Sequence, residues 1–119
     1  MIVELNIAED TIGIVFENAI DQGDVDTIQS EILSKLKKYK LVNLFLEEDE
    51  VEDVELSAFF DQLFFDIKHA DRINKVAIVS DRTWVRGLAK LKDLLVTSDV
   101  KTFSLKRRVD AICWIMNKS

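Results

Sequence analysis

Two short stretches of this chain are apolar at nearly every position, and they constrain its fold more than any other feature. Leu41 to Leu46 is interrupted only by Asn43, and Val76-Ala77-Ile78-Val79 is not interrupted at all. A strand apolar on both faces has no side to offer water, so it belongs inside a parallel sheet covered above and below. Other segments alternate instead. Val3, Leu5 and Ile7 share one face, and after a turn at Glu9-Asp10 so do Ile12, Ile14 and Phe16. This pattern predicts strands over 2–7 and 11–17, joined as a hairpin. Val100 to Leu105 alternates again. The expected sheet has five strands, with 11–17, 41–47, 75–80 and 100–104 parallel and 2–7 antiparallel at an edge. Val76–Val79 should be central, and the alternating first and last strands outermost.

Helical spacing fills the gaps between strands. Val25, Ile28, Ile32, Leu36 and Tyr39 follow a cap expected near Asp24. Three further stripes predict helices over 55–70, over 82–95 with Asp81 as cap, and over 106–117. Their core faces are read as Leu56/Phe60/Leu63/Ile67, Trp84/Leu88/Leu91/Leu95 and Val109/Ile112/Cys113/Met116. The order β-β-α-β-α-β-α-β-α implies right-handed crossovers and four main helices on a mostly parallel sheet, an α/β fold. At 119 residues with no proline and three glycines, the chain reads as a single domain over 1–119 with no flexible linker.

Charge is distributed unevenly. Residues 1–67 carry seventeen acids and four bases, and residues 68–119 five acids and twelve bases, so a net charge of −6 conceals halves of −13 and +7. The acidic total argues against a nucleic-acid coat, although the second half could meet an anion. No basic leader or uncharged membrane-length apolar run is present, and Cys113 is the only cysteine. These features lead us to expect a cytoplasmic protein without an internal disulfide. One cysteine and one histidine, far apart, do not make a zinc site, and the acidic run 47–55 lacks the ligand spacing and glycine of a calcium loop. No glycine-rich phosphate loop exists. We therefore expect no metal, no cofactor and no enzyme activity. Cys113, on the stripe of the last helix, is read as inert packing.

Residues 65–84, FDIKHADRINKVAIVSDRTW, resemble the SpoIIAA-like family through Phe65, Lys68-His69, the Val76–Val79 strand, Asp81 and Trp84. Val100 to Phe103 and Ala111…Trp114 are similar to that family's final strand and helix. The family is a bacterial branch of the STAS superfold with kinship to CRAL-TRIO lipid-binding domains. The resemblance implies a STAS-like fold, and ligand binding or membrane association. A phosphoserine switch of the STAS type would need a serine at the start of the helix after the third strand. Here residues 47–55 hold seven acids in nine positions and no hydroxyl, so phosphate at nearby Ser57 would meet like charge.

The helix read over 55–70 carries Phe59, Phe60, Phe64 and Phe65, four of the chain's seven phenylalanines. At ~100° per residue, Phe59, Leu63, Leu56, Ile67, Phe60 and Phe64 span about 140°, with Phe65 turned away towards Asp61 and His69. The plainer reading buries this arc. The functional one has the helix hinge outward, on a 47–55 loop kept extended by acidic repulsion, and accept an acyl chain. Arg82, Arg86 and Lys90 recur every four residues, and Lys106-Arg107-Arg108 open the last helix against its dipole. The expected ligand-binding set is Phe59, Phe60, Leu63, Phe64, Phe65, Lys68, His69, Arg82, Trp84 and Arg86. The partners admitted are a lipid-like or small anionic ligand, a peripheral membrane contact, a protein partner or a homodimer, with nucleic acid excluded. The alternative is a STAS-like interaction domain that docks a basic partner through 47–55.

Overall fold

Alternation along the first twenty residues produces the expected hairpin: β1 (Ile2–Leu5) pairs antiparallel with β2 (Thr11–Phe16), Ile2 opposite Phe16 and Leu5 opposite Gly13. The structure is a computed structural model that describes residues 2–17, 19–48, 51–65, 70–82 and 85–117. Gly13 is required by close approach. A Cβ there would lie 2.7 Å from the Leu5 carbonyl oxygen and 3.0 Å from Ile7 Cδ1, so Leu5 and Ile7 occupy the space that a side chain would need.

The two apolar runs form β3 (Val42–Glu47) and β4 (Ile73–Val79), and β5 (Asp99–Phe103) completes a sheet of order β1-β2-β3-β4-β5. All pairings after the first are parallel. As expected, β1 and β5 are the edges and β4 is interior, with β3 in the middle. Asn43, the one polar break in its run, sits at a register shift where its Oδ1 accepts from the Lys75 N–H at 3.1 Å. A side chain there replaces a ladder bond lost to the bulge.

Four helices flank this sheet: α1 (Gln22–Leu36), α2 (Asp53–Phe65), α3 (Val85–Leu94) and α4 (Arg108–Met116). The α1 cap is Asp21, not Asp24. Asp21 Oδ1 accepts from Asp24 N–H at 2.8 Å, and Asp24 Oδ2 accepts from Asp21 N–H at 3.1 Å, a reciprocal capping box. At its other end, Arg72 donates to the Leu36 carbonyl, which the helix end leaves without a partner, and to the carbonyls of Tyr39 and Lys40 in the turn that follows. Of the helix read over 55–70, α2 accounts for the described residues up to Phe65. Residues 66–69 lie outside the described residues, and Ala70–Arg72 is a 3-10 turn. Asp81 precedes α3 by four residues, and its Oδ1 accepts from Leu105 N–H at 2.9 Å, holding the turn after β5.

The strands separate two apolar clusters. Ile12, Ile14, Leu44, Leu46, Val76 and Ile78 face α1, α2 and α3. Phe45, Ala77, Val79 and Phe103 face α4 alone. Here the sequence expectation needs correction. Ala111 and Ile115 are the buried residues of α4, whereas Val109 is 70% exposed, Met116 50% exposed and Cys113 exposed. The stripe Val109/Ile112/Cys113/Met116 is rotated away from the sheet, with only Ile112 packed against the cluster from one side.

Candidate functional site

The aromatic face of α2 is core. Leu56, Phe59, Phe60, Leu63 and Phe64 are each at most 5% exposed. Phe59 meets Phe16 edge-on, ring centroids 5.1 Å apart, and Gln29 Nε2 donates to the Leu63 carbonyl, tying α1 to α2. Swinging α2 away would expose five large side chains at roughly 1.5–3 kcal/mol each. That sum rivals the ~5–15 kcal/mol by which a whole domain is stable.

The described start of the expected hinge, Glu47, Glu48 and Val51, is pinned rather than loose. Glu47 and Glu48, read from sequence as part of a solvated acidic loop, are both buried. Arg108 grips Glu47 with two bonds, Nε to Oε1 and Nη2 to Oε2, each 2.5 Å. The hydrogen bond to Glu47, and then its charge, hold the Arg108 guanidinium above its ordinary value against a smaller opposing effect of desolvation. Glu48 Oε2 accepts from Val51 N–H at 2.8 Å, and its Oε1 accepts from Ser80 Oγ at 2.5 Å. These partners are 61 and 32 residues distant for Arg108 and Ser80 respectively.

An open groove lies instead between α3 and the edge strand β5, at the carboxyl ends of β4 and β5, with a volume of about 800 Å³. Open α/β sheets commonly receive ligands at this end of their strands. Ile78 and Leu88 supply its apolar wall, with Phe103 at its edge, and Arg82, Lys92 and Arg107 bring three cations to it beside the Asp81 carboxylate. Ser80 links wall and backbone: its Oγ accepts from Arg82 N–H at 3.0 Å while its N–H donates to the Phe103 carbonyl at 2.9 Å. Arg107 is braced by Asp110 at 2.9 Å, and Arg82 lies 4.0 Å from Glu52. Such exposed pairs contribute little to stability and leave the cations facing the groove.

Among the described residues expected to bind a ligand, only Arg82 lines this groove. Arg86 is exposed on α3 outside it, Phe59, Phe60, Leu63 and Phe64 are in the core, and Phe65 ends α2 with a side chain outside the described residues. Lys68, His69 and Trp84 also lie outside the described residues. Lys92, Ser80 and Phe103 carry no spacing signal in the sequence. Arg107 does, as part of the basic opening of α4. Among the described residues, no group of three or more His, Cys, Asp or Glu is placed to hold a metal, and no helix is long and apolar enough to cross a membrane.

A family model described as SpoIIAA-like matches residues 11–116, from β2 to the last residue of α4. No curated protein and no solved structure matches the chain at a significant level.

Proposed function

The chain belongs to the SpoIIAA-like family, a family of STAS-like regulatory and interaction domains, and from that premise we propose a non-catalytic binding domain that recognises an amphipathic anion in the groove between α3 and β5. One observation carries this reading. Arg82, Lys92 and Arg107 line a groove whose apolar wall is Ile78 and Leu88, at the carboxyl end of the sheet, and the acid beside them, Asp81, is engaged by the Leu105 N–H. Guanidinium groups pair with carboxylate or phosphate through a rigid fork, and an adjoining apolar wall selects ligands that also carry a hydrocarbon part. Ser80, whose hydroxyl lines the groove, is engaged by Glu48 and by the Arg82 amide, which suits a structural bridge better than a nucleophile.

The site differs from a cavity beneath α2 in needing no helix to move. It predicts saturable amide shifts at Ile78, Leu88 and Phe103 when octanoate is titrated, with little response to octanol. An Arg82→Glu/Arg107→Glu variant should bind octanoate at least tenfold more weakly, a loss of about 1.4 kcal/mol. Rising salt should weaken binding by the native chain in the same direction. Shifts confined to residues outside the groove, or equal responses to octanoate and octanol, would defeat this reading.

A further inference from the structure

The outward stripe of α4 presents a surface that the groove reading does not use. Val109, Ile112, Cys113 and Met116 repeat at helical spacing, as a buried face would, yet Val109 and Met116 stand half exposed or more and Cys113 is exposed. Their direction follows from two neighbours. Trp114 lies towards Phe103 of β5, ring centroids 6.0 Å apart, and Arg108 towards Glu47 of β3. At ~100° per residue, Ile112, Met116 and Val109 follow one another round the helix on the Arg108 side, above β2 and β1, with Cys113 outermost. The sheet below them is also bare. Val3 is 42% exposed, and Leu5 and Val15 are half-buried, because among the described residues α4 is the only α-helix on this face.

We propose that this stripe is a homodimer interface, at which α4 packs antiparallel against α4 of a second copy of the chain. Charge favours that occupant. Lys106 and Arg107 open α4, where cations oppose the helix dipole. The other end of α4 reaches the β1–β2 turn, where Met116 lines one shallow groove together with Ala8 and Asp10. A two-fold axis across the helix sets each basic opening beside the partner's carbonyl-rich end and its Glu9-Asp10 turn. Lys75 already donates to the Trp114 and Asn117 carbonyls, and Asp110 and Glu47 already meet Arg107 and Arg108, so the attraction gained is between Lys106 and the partner's Glu9-Asp10 turn. The stripe is centred between Ile112 and Cys113, so it opposes itself residue for residue under that rotation. A parallel pairing would bring the two basic openings together.

A helix pair with a short apolar shoulder buries less than the ~1,200 Å² of a standard interface, so association in the micromolar range is expected. Light scattering across a concentration series should rise from the 13.7 kDa chain mass to twice that value. A short bismaleimide should join two copies through Cys113, the only cysteine. Val109→Glu/Met116→Glu, at exposed positions that keep Cys113, should abolish both signals while leaving circular dichroism and the Tm of dilute monomer unchanged. Lys106→Glu, which lies outside the groove, should weaken the dimer without touching the stripe. A chain that stays monomeric to its solubility limit overturns the proposal. So does a dimer that survives these substitutions in folded protein.

Discussion

The two faces of the sheet are covered unequally, and the difference separates what holds the fold from what is open to partners. One face carries α1, α2 and α3, and its apolar residues from β2, β3 and β4 are almost wholly buried. Among the described residues the other carries a single α-helix, α4, nine residues long, whose buried pair is Ala111 and Ile115. On the first face a broad aromatic stripe is core. On the second an equally regular stripe faces outward. A stripe records that a helix is amphipathic, and not what covers it.

This contrast predicts the largest difference in stability that single substitutions should reveal. Phe60 is fully buried on the crowded face, so Phe60→Ala should destabilise by about 3–5 kcal/mol, since truncating a buried phenylalanine leaves a cavity. Val109→Ala on the sparse face should change stability by less than about 0.5 kcal/mol in dilute monomer. Urea denaturation of both variants tests the pair. Similar losses would show that the second face bears more of the fold than its packing indicates.

A smaller effect is expected where the sparse face is fastened at its top. Arg108 is half exposed, but the Glu47 carboxylate it grips is buried, and Arg108→Met would leave that carboxylate without its two charge-assisted bonds. A loss of about 1–3 kcal/mol follows, below the figure for a fully buried pair because solvent already reaches the arginine. Adding Glu47→Gln should recover part of it. If Arg108→Met proves neutral in urea, Glu47 finds adequate solvation elsewhere and the clasp does not hold α4 in place.

The sheet was legible because strand burial writes itself into consecutive residues: the unbroken run at Val76–Val79 and the alternation at Ile12, Ile14 and Phe16 both translated directly into position. The aromatic arc of α2 was visible as a helical stripe, but its periodicity did not say what covers it, and residues expected to meet a ligand lie in the core. The α4 core was not legible. Its buried residues include Ala111, whose small side chain suits close approach to Ala77 and Phe45 but hardly registers as apolar beside Ile112 and Met116. Glu47 and Glu48 were misread because their burial depends on Arg108 and Ser80, partners that only the parallel crossovers bring near. The groove was mostly illegible too. It arises from the ends of two strands, one helix and one turn, and of its cations only Arg82 and Arg107 belong to visible clusters.

The finest test of the comparison concerns how the hairpin is attached. The β1–β2 turn is tied to the crowded face, where Lys35 Nζ donates to the Glu9 carbonyl at 2.7 Å and the Tyr39 hydroxyl donates to Glu9 Oε2 at 3.2 Å. Partial desolvation raises the Tyr39 phenol above its ordinary value of 10.0, and the hydrogen bond to Glu9 and the charges of Glu9 and Asp10 act in the same direction. A raised value means that the folded chain holds this proton more tightly than the unfolded one. Any stability it contributes is therefore present below pH 10.0 and lost as pH rises through the folded value. Tyr39 is the only tyrosine, so tyrosinate absorbance in an alkaline titration reports this group alone. The native curve should have its midpoint above 10.0, and Glu9→Gln should move it down towards that value without restoring it fully, because desolvation remains. An unchanged midpoint in Glu9→Gln would mean that the turn is not held by this contact, and that the hairpin is as loosely attached to the crowded face as to the sparse one.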